Sequence, residues 1–542
     1  LSFPSTKTHI FPINLNKMDP WSWICELPES PEFAESDSHV VFQLVDNLTR
    51  SIQLRVERDS GPDPESEFLS LTFKVIVEGF NRLKSSTIWV SDKCPLSSEK
   101  PFLPLVLQLL REVISLSPTT RDSACTKSEL LEIKPGPVNW VMDSHSPESF
   151  SSVFNLLLLT RLFWLCVFDA PSEVGSFFFQ HLLGPRVNAL TCQHAPVLRT
   201  FLVSLGVDAE LCIVRAASYA LSKWMISKEV GLGNLGLKQI SCPLPRHSLG
   251  FAYATEAHGL WILKGYFPIL SMNVTNNNSS NEVQNKIIKF PIVEPKEAVL
   301  RYALSHQQAE IIVQFEYSVR FHENYIKVNA RVDNIRINVS KLGFHKGGGP
   351  ENQIADCYSE EKYFPSRVRV WVGPEIGSSH VSGLSLGRST KNEEREIEVT
   401  RVLKGNFGKG KVAPRVKARA RMSTKRKIKD WRIEQESEGN AAVFDAVLYD
   451  RESGQEVTNV KPKNEGLKNV FSKSGGMVFG RDEYGDEVGW RVGREMEGSV
   501  LKWRMGGKIW LTYWPNKLNT LFYETRCVDW CDEVDLPLVP TS

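Results

Sequence analysis

The alternation of apolar and polar positions changes character twice along the chain. From His39 to Asp92 it is strand-like: a Val40–Val45 run, then Ile52, Leu54, Val56, then Phe73, Val75, Val77, and Ile88-Trp89-Val90, separated by turn residues such as Gly61-Pro62-Asp63-Pro64. This predicts a small meander of three or four strands. From Glu99 to Val230 the period becomes helical. Leu105, Leu109, Val113 and Leu116 recur at i, i+4, with Val106, Leu110 and Ile114 widening the stripe. Ser146-Pro147-Glu148 combines an N-cap, a proline suited to the first helical turn and an early acid, which predicts a helix through the apolar run Val153–Phe168. A further helix over Pro196–Leu205 is expected to close on Gly206. Asp208 is expected to cap a longer one carrying Leu211, Val214, Ser218, Leu221 and Met225 and stopping at Gly231.

Beyond Leu249 period two returns. Ile311, Val313, Phe315, Tyr317, Val319 and Phe321 alternate with polar neighbours. The next run alternates on Ile326, Val328, Ala330 and Val332, then on Ile335, Ile337 and Val339, and such a change of phase requires a bulge or turn at Asp333-Asn334. Gly506-Gly507, between Lys502-Trp503-Arg504-Met505 and Lys508-Ile509-Trp510-Leu511, reads as a tight hairpin placing Trp503 opposite Trp510. Roughly a dozen strands between Leu249 and Arg526 predict an antiparallel sandwich or barrel. Loops are expected at Asn273–Asn285, Lys341–Ser366 and Arg451–Lys468. The fold class expected is α+β, in four stretches: a non-native or disordered leader over 1–17 ahead of Met18, a small β-rich region over 18–98, a helical region over 99–247 and a β-rich domain over 248–542.

Composition narrows the classes. At 542 residues, with 42% hydrophobic, 24% charged and 10% aromatic residues, the chain is built for substantial cores rather than disorder. Ten scattered cysteines, several inside apolar runs, favour free thiols and a reducing compartment. The five sequons (Asn47, Asn273, Asn277, Asn278, Asn338) would matter only in the secretory pathway, and no signal peptide is evident, so an intracellular, cytoplasmic or nuclear location is expected. Val153–Phe168 is shorter than the ~20 residues of a membrane span and has Arg161 at its centre, so no transmembrane segment is expected.

Literal motif matches lack their mechanical context. Gly231-x-Gly-x-x-Gly236 follows a helix, where a dinucleotide site requires a strand before it. Gly405-Asn-Phe-Gly-Lys-Gly410-Lys411 ends on Val412 where a phosphate loop needs Ser or Thr. Gly383-Leu-Ser385-Leu-Gly387 precedes a highly charged stretch rather than a buried helix, and no histidine follows His380, so a hydrolase nucleophile is disfavoured. Neither the histidines nor Cys527-x-x-x-Cys531, even with Cys357, form a recognisable metal set; no cofactor and no metal are expected.

Net charge is only +2, but residues 401–432 hold thirteen Lys or Arg against the single acid Asp430. Arg415, Lys417, Arg419 and Arg421 alternate with Val416, Ala418, Ala420 and Met422, and Lys425-Arg426-Lys427 follows. As a strand this is a basic ladder on one face and small apolar groups on the other. It suits a polyanion (nucleic acid or an anionic lipid surface) or an acidic protein; the plain alternative is an edge strand guarded by like charge, neutralised by acids such as Asp482-Glu483 and Asp486-Glu487.

Met18-Asp-Pro-Trp-Ser-Trp, Asp143-Ser-His-Ser-Pro-Glu-Ser149, Tyr253-Ala-Thr-Glu-Ala-His-Gly259 and Phe479-Gly-Arg-Asp-Glu-Tyr-Gly-Asp486 resemble segments of an uncharacterised land-plant protein family. The resemblance runs from Met18 to the C-terminus. It implies a plant source and transfers no activity, fold or site. The functional expectation is a non-catalytic binding or scaffold protein. The alternative is a hydrolase or transferase with a loop-assembled site, for which Glu256 with His258 and Asp143 with His145 are the first residues to inspect.

Overall fold

The computed structural model describes residues 19–29, 39–59, 69–80, 85–117, 133–166, 172–192, 195–234, 249–275, 301–343, 362–387, 395–407, 416–428, 431–449, 456–457, 477–480, 487–514 and 524–540. The leader 1–17, most of each expected loop, Arg415 and Cys357 lie outside them. The fold is α+β, with antiparallel sheets, helices in the middle of the chain and a large C-terminal sheet region.

A short helix, α1 (Pro20–Glu26), opens the structure. Asp19 caps it, accepting from the Trp21 and Ser22 amides at 2.9 and 3.2 Å, and Pro20 takes the first helical position where its missing N–H costs nothing. The cap aims Trp21 between Phe150 and Phe154, with ring centroids 5.1 and 4.9 Å away. The expected meander follows as β1 (His39–Asn47), β2 (Arg50–Asp59), β3 (Ser70–Glu78) and β4 (Ser85–Val90), paired in that order, with β5 (Cys94–Pro95) also on β3.

The helical layer contains α2 (Leu103–Leu116), α3 (Pro135–Ser144), α4 (Pro147–Trp164), α5 (Ser172–Phe177), α6 (Pro196–Ser204) and α7 (Val207–Asn234). Ser146 caps α4 as expected, accepting from the Ser149 amide at 3.4 Å. The charge that argued against a membrane span is accommodated inside the protein: Arg161 pairs with Glu112 of α2, which also accepts from the Trp89 indole at 2.9 Å. Among the described residues no helix is long and apolar enough to cross a membrane. Two expected boundaries move. Gly206, at φ +87°, ends α6, and α7 starts immediately at Val207, so Asp208 lies in its first turn instead of capping it. At the other end α7 runs through Gly231 to Asn234; one glycine costs a helix only about 1 kcal/mol, too little to stop a long one.

The C-terminal region is a sandwich. Its inner sheet has the order β12 (Val381–Ser385), β18 (Val488–Gly493), β10 (Tyr325–Lys341), β9 (Gln307–Phe321), β7 (Leu260–Pro268), β6 (Phe251–Ala257), with β17 (Met477–Gly480) also on β10. The outer sheet runs β15 (Trp431–Glu438), β16 (Ala441–Leu448), β11 (Lys362–Pro374), β19 (Val500–Trp514), β20 (Glu524–Pro537), β8 (Asn273–Val274). A separate two-stranded sheet pairs β13 (Arg395–Phe407) with β14 (Val416–Ile428). The phase change in β10 is a bulge, with the register against β9 shifting between Val332 and Asn334.

At β6 and β7 the inner sheet is buried on both faces. Ala252, Ala254, Trp261 and Phe267 join the core shared with the outer sheet, whereas Phe251, Tyr253 and Tyr266 join the helices and the N-terminal meander in a second core. Period-two alternation therefore separates two apolar environments here, which is why both phases of these strands are hydrophobic.

The expected Gly506-Gly507 hairpin is not formed: β19 continues straight through both glycines. Trp503 faces inward and stacks on Trp261 at 5.4 Å with Trp490 edge-on at 5.0 Å, while Trp510 lies on the opposite face. The glycines make room for tryptophans from neighbouring strands. Trp371 occupies the space a side chain at 506 would need, and a Cβ at 507 would sit 2.7 Å from the Trp530 ring. Gly507→Ala should therefore lower stability by about 1–3 kcal/mol through overpacking. Gly383→Ala, in open space at the rim, should change it by less than about 0.5 kcal/mol. Urea unfolding of the two variants checks this; equal midpoints would contradict the packing assigned to Trp530.

Candidate functional sites

The helical layer meets the inner sheet through a polar seam. Glu210 of α7 is almost wholly buried, and accepts from Lys264 at 2.7 and 3.0 Å, from Tyr266 at 2.8 Å and from Tyr253. One turn further, Arg215 forks onto Glu310 at 2.6 and 2.9 Å and reaches Ser340 at 3.3 Å. Burial and the adjacent carboxylate push both tyrosine hydroxyls far above their usual range. Each charge is met by an opposite one, so the seam reads as a structural clamp.

Further along α7, Lys223 lies with Nζ 4.4 Å from the Tyr302 ring centroid, 5.0 Å from that of Tyr219 and 3.4 Å from His306 Nε2. Burial lowers the lysine to about 8, and burial with the Lys223 and Lys341 charges lowers His306 to about 4. His306 is therefore held neutral at ordinary pH.

The residues proposed for an enzyme site are otherwise employed. His258 and Gly259, at φ +54° and +79°, form the two-residue turn of the β6–β7 hairpin, the left-handed pair of a type I′ turn. Glu256 braces that turn, accepting from the Gly259 amide at 3.3 Å and from Tyr317 at 3.2 Å. Asp143 pairs with Lys100, and His145 donates to the Val141 carbonyl at 3.0 Å. Neither pair lines the cleft described below. Ser385 ends a strand rather than a strand-to-helix elbow, and its hydroxyl donates to the Gly489 carbonyl at 3.4 Å. Cys25, Cys94 and Cys166 are free thiols that burial pushes up to about 12, 11 and 12, so they pack as hydrophobes. Among the described residues no group of three or more His, Cys, Asp or Glu could hold a metal ion.

The basic segment forms the β13–β14 pair, and its register divides the ladder in two. Lys425 and Lys427 stand opposite Glu398 and Glu396, whereas Lys417, Arg419 and Arg421 stand opposite Asn406, Lys404 and Val402. Arg426 stands opposite Ile397. Arg415, with the connecting residues 408–415 that hold most of the glycine-rich Gly405–Lys411 motif, lies outside the described residues, as do Asp482, Glu483 and Asp486.

A cleft of about 620 Å³ opens between the start of α6, strand β6 and the outer sheet. Among the described residues, three cations (Arg199, Arg369, Lys508) and three acids (Glu438, Asp529, Asp532) line it, together with Tyr253, Trp371 and Trp530. Arg199 pairs with Asp532 at 3.1 Å, and Asp532 also accepts the Ala254 amide at 2.7 Å. Arg369 pairs with Glu438 at 3.2 Å, and Lys508 stands opposite Asp529 across the β19–β20 ladder. No local pattern in the sequence marks this group, since its members come from strands and a helix up to 333 positions apart.

No protein-family model matches the chain, and no curated protein is similar to it. Among solved structures it is similar to Clostridium perfringens delta-toxin, at 8% identity over 53% of this chain and 98% of the toxin, with a TM-score of 0.20. It is also similar to the Clostridium perfringens NetB toxin in the membrane-inserted form, at 7% identity over 52% of this chain and 92% of the toxin, with a TM-score of 0.15. At these scores neither likeness bears on what this chain does.

The neutral His306 has a consequence for stability. A histidine depressed from 6.5 to about 4 by folding leaves the unfolded chain binding more protons between those values, so its contribution is full above pH 6.5 and is lost as pH falls towards 4. The urea midpoint of the wild type should fall across that window more steeply than that of His306→Gln. Superimposable pH profiles would show that His306 titrates normally.

Proposed function

We propose that the protein is a non-catalytic binding protein that contacts a polyanion through the half of the β13–β14 hairpin nearest its connection. The observation that carries this reading is the register. Acids stand across from Lys425 and Lys427, but none stands across from Lys417, Arg419 or Arg421, and the partner of Arg419 is a fourth cation, Lys404. Successive residues on one strand face lie about 7 Å apart, close to the spacing of phosphates along a single nucleic-acid strand. A ladder whose only role was to guard an edge would gain nothing from a register that sets acids across one half and none across the other. The lack of an assembled catalytic set at Glu256–His258, Asp143–His145 and Ser385 supports a binding role over the enzyme alternative.

Binding of single-stranded nucleic acid should weaken steeply with salt, because each neutralised phosphate releases condensed counterions. Replacing Arg415, Lys417, Arg419 and Arg421 with Gln should lower affinity and flatten the log–log salt slope by up to ~3 units. Glu396→Gln with Glu398→Gln should act oppositely, steepening the slope by about 1 unit as Lys425 and Lys427 lose their opposing acids. If the quadruple variant binds as the wild type does at low salt and merely scatters more light, the segment is a guarded edge and the proposal fails.

A further inference from the structure

We infer that the cleft between α6 and the outer sheet binds an uncharged, hydroxyl-rich ligand of the oligosaccharide class. Among the described lining residues none belongs to the basic hairpin, and the two differ in charge. Its three cations and three acids balance, with Arg199–Asp532 and Arg369–Glu438 in contact and Lys508 across from Asp529. Such a lining has no net field with which to draw in a polyanion. What it does offer is a dense set of fixed donors and acceptors side by side, and a sugar hydroxyl, which both donates and accepts, can use the two members of an ion pair at once.

Trp371 supplies the complementary apolar surface. Its indole takes the space that a side chain at Gly506 would need, and Arg504 sits over the ring with its guanidinium carbon 5.7 Å from the centroid. Trp371 is only half buried, and the exposed part of its ring offers the C–H groups of a sugar an apolar contact beside the Arg504 donors. The lining side chains on β11, β19 and β20 belong to paired strands, so most of the site is formed before a ligand arrives. A volume of about 620 Å³ falls within the size range of small-ligand sites.

The test is titration of the full chain with cellohexaose, xylohexaose and mannohexaose, followed by tryptophan fluorescence and calorimetry, with a heparin hexasaccharide as the charged counterpart. Saturable binding to at least one neutral sugar is expected, changing less than about twofold between low and high salt because no charge is neutralised. Trp371→Ala should weaken it roughly tenfold, and Trp371→Phe, which keeps a flat ring, should retain most of it. Should the alanine variant unfold, Trp371→Leu fills the space without an aromatic face and should show the same loss. The quadruple Gln variant of the hairpin should bind the sugar unchanged, which separates this site from the polyanion surface. No saturable binding to any of the three sugars, full affinity in a folded Trp371→Ala or Trp371→Leu variant, or a preference for heparin that collapses with salt would each overturn the inference.

Discussion

At β6 and β7 the inner sheet is covered on both faces, and the clamp between that sheet and α7 is what the remaining architecture depends on. Burying Glu210 without partners would be very unfavourable, and Lys264, Tyr253 and Tyr266 offset that cost only in one relative placement of helix and sheet. Arg215 and Glu310 repeat the condition about a turn away, so rotation and sliding of the helix are both restricted. A hydrophobic seam would hold the layers together as firmly but would tolerate slippage. Since α6 leads directly into α7, the clamp also fixes where Arg199 meets Asp532, and with it one wall of the cleft.

Much of the architecture was legible because it is locally encoded. The meander, the α2 stripe, the Ser146 cap and the β10 bulge each follow from a period or a cap that a few residues determine. The failures share one cause. Gly506-Gly507 looks like a turn until Trp371 and Trp530, from strands on either side, are seen to fill the vacated space. Asp19-Pro20, by contrast, is a local helix start, with cap and proline side by side. The cleft was illegible because no window of sequence holds both members of its contacts: Arg199 and Asp532 are 333 residues apart.

The same residue types serve opposite ends in the two surfaces. On the hairpin, cations near the connection face no acid in the register; in the cleft, they face acids almost one for one. Whole-chain charge of +2 conceals both arrangements, so partner chemistry in this protein is a matter of placement rather than of composition.

The hairpin is attached at two different places. The chain enters it from β12, an edge strand of the inner sheet, and leaves it into β15, an edge strand of the outer sheet. Any mechanical load on the hairpin is thus divided between two anchorages of unequal strength: β12 is held by four register pairs to β18, and β15 by eight to β16. By register pairs β12 is the weaker attachment, so tension on the hairpin would be felt first at that edge of the inner sheet, while the outer sheet kept its hold through β15.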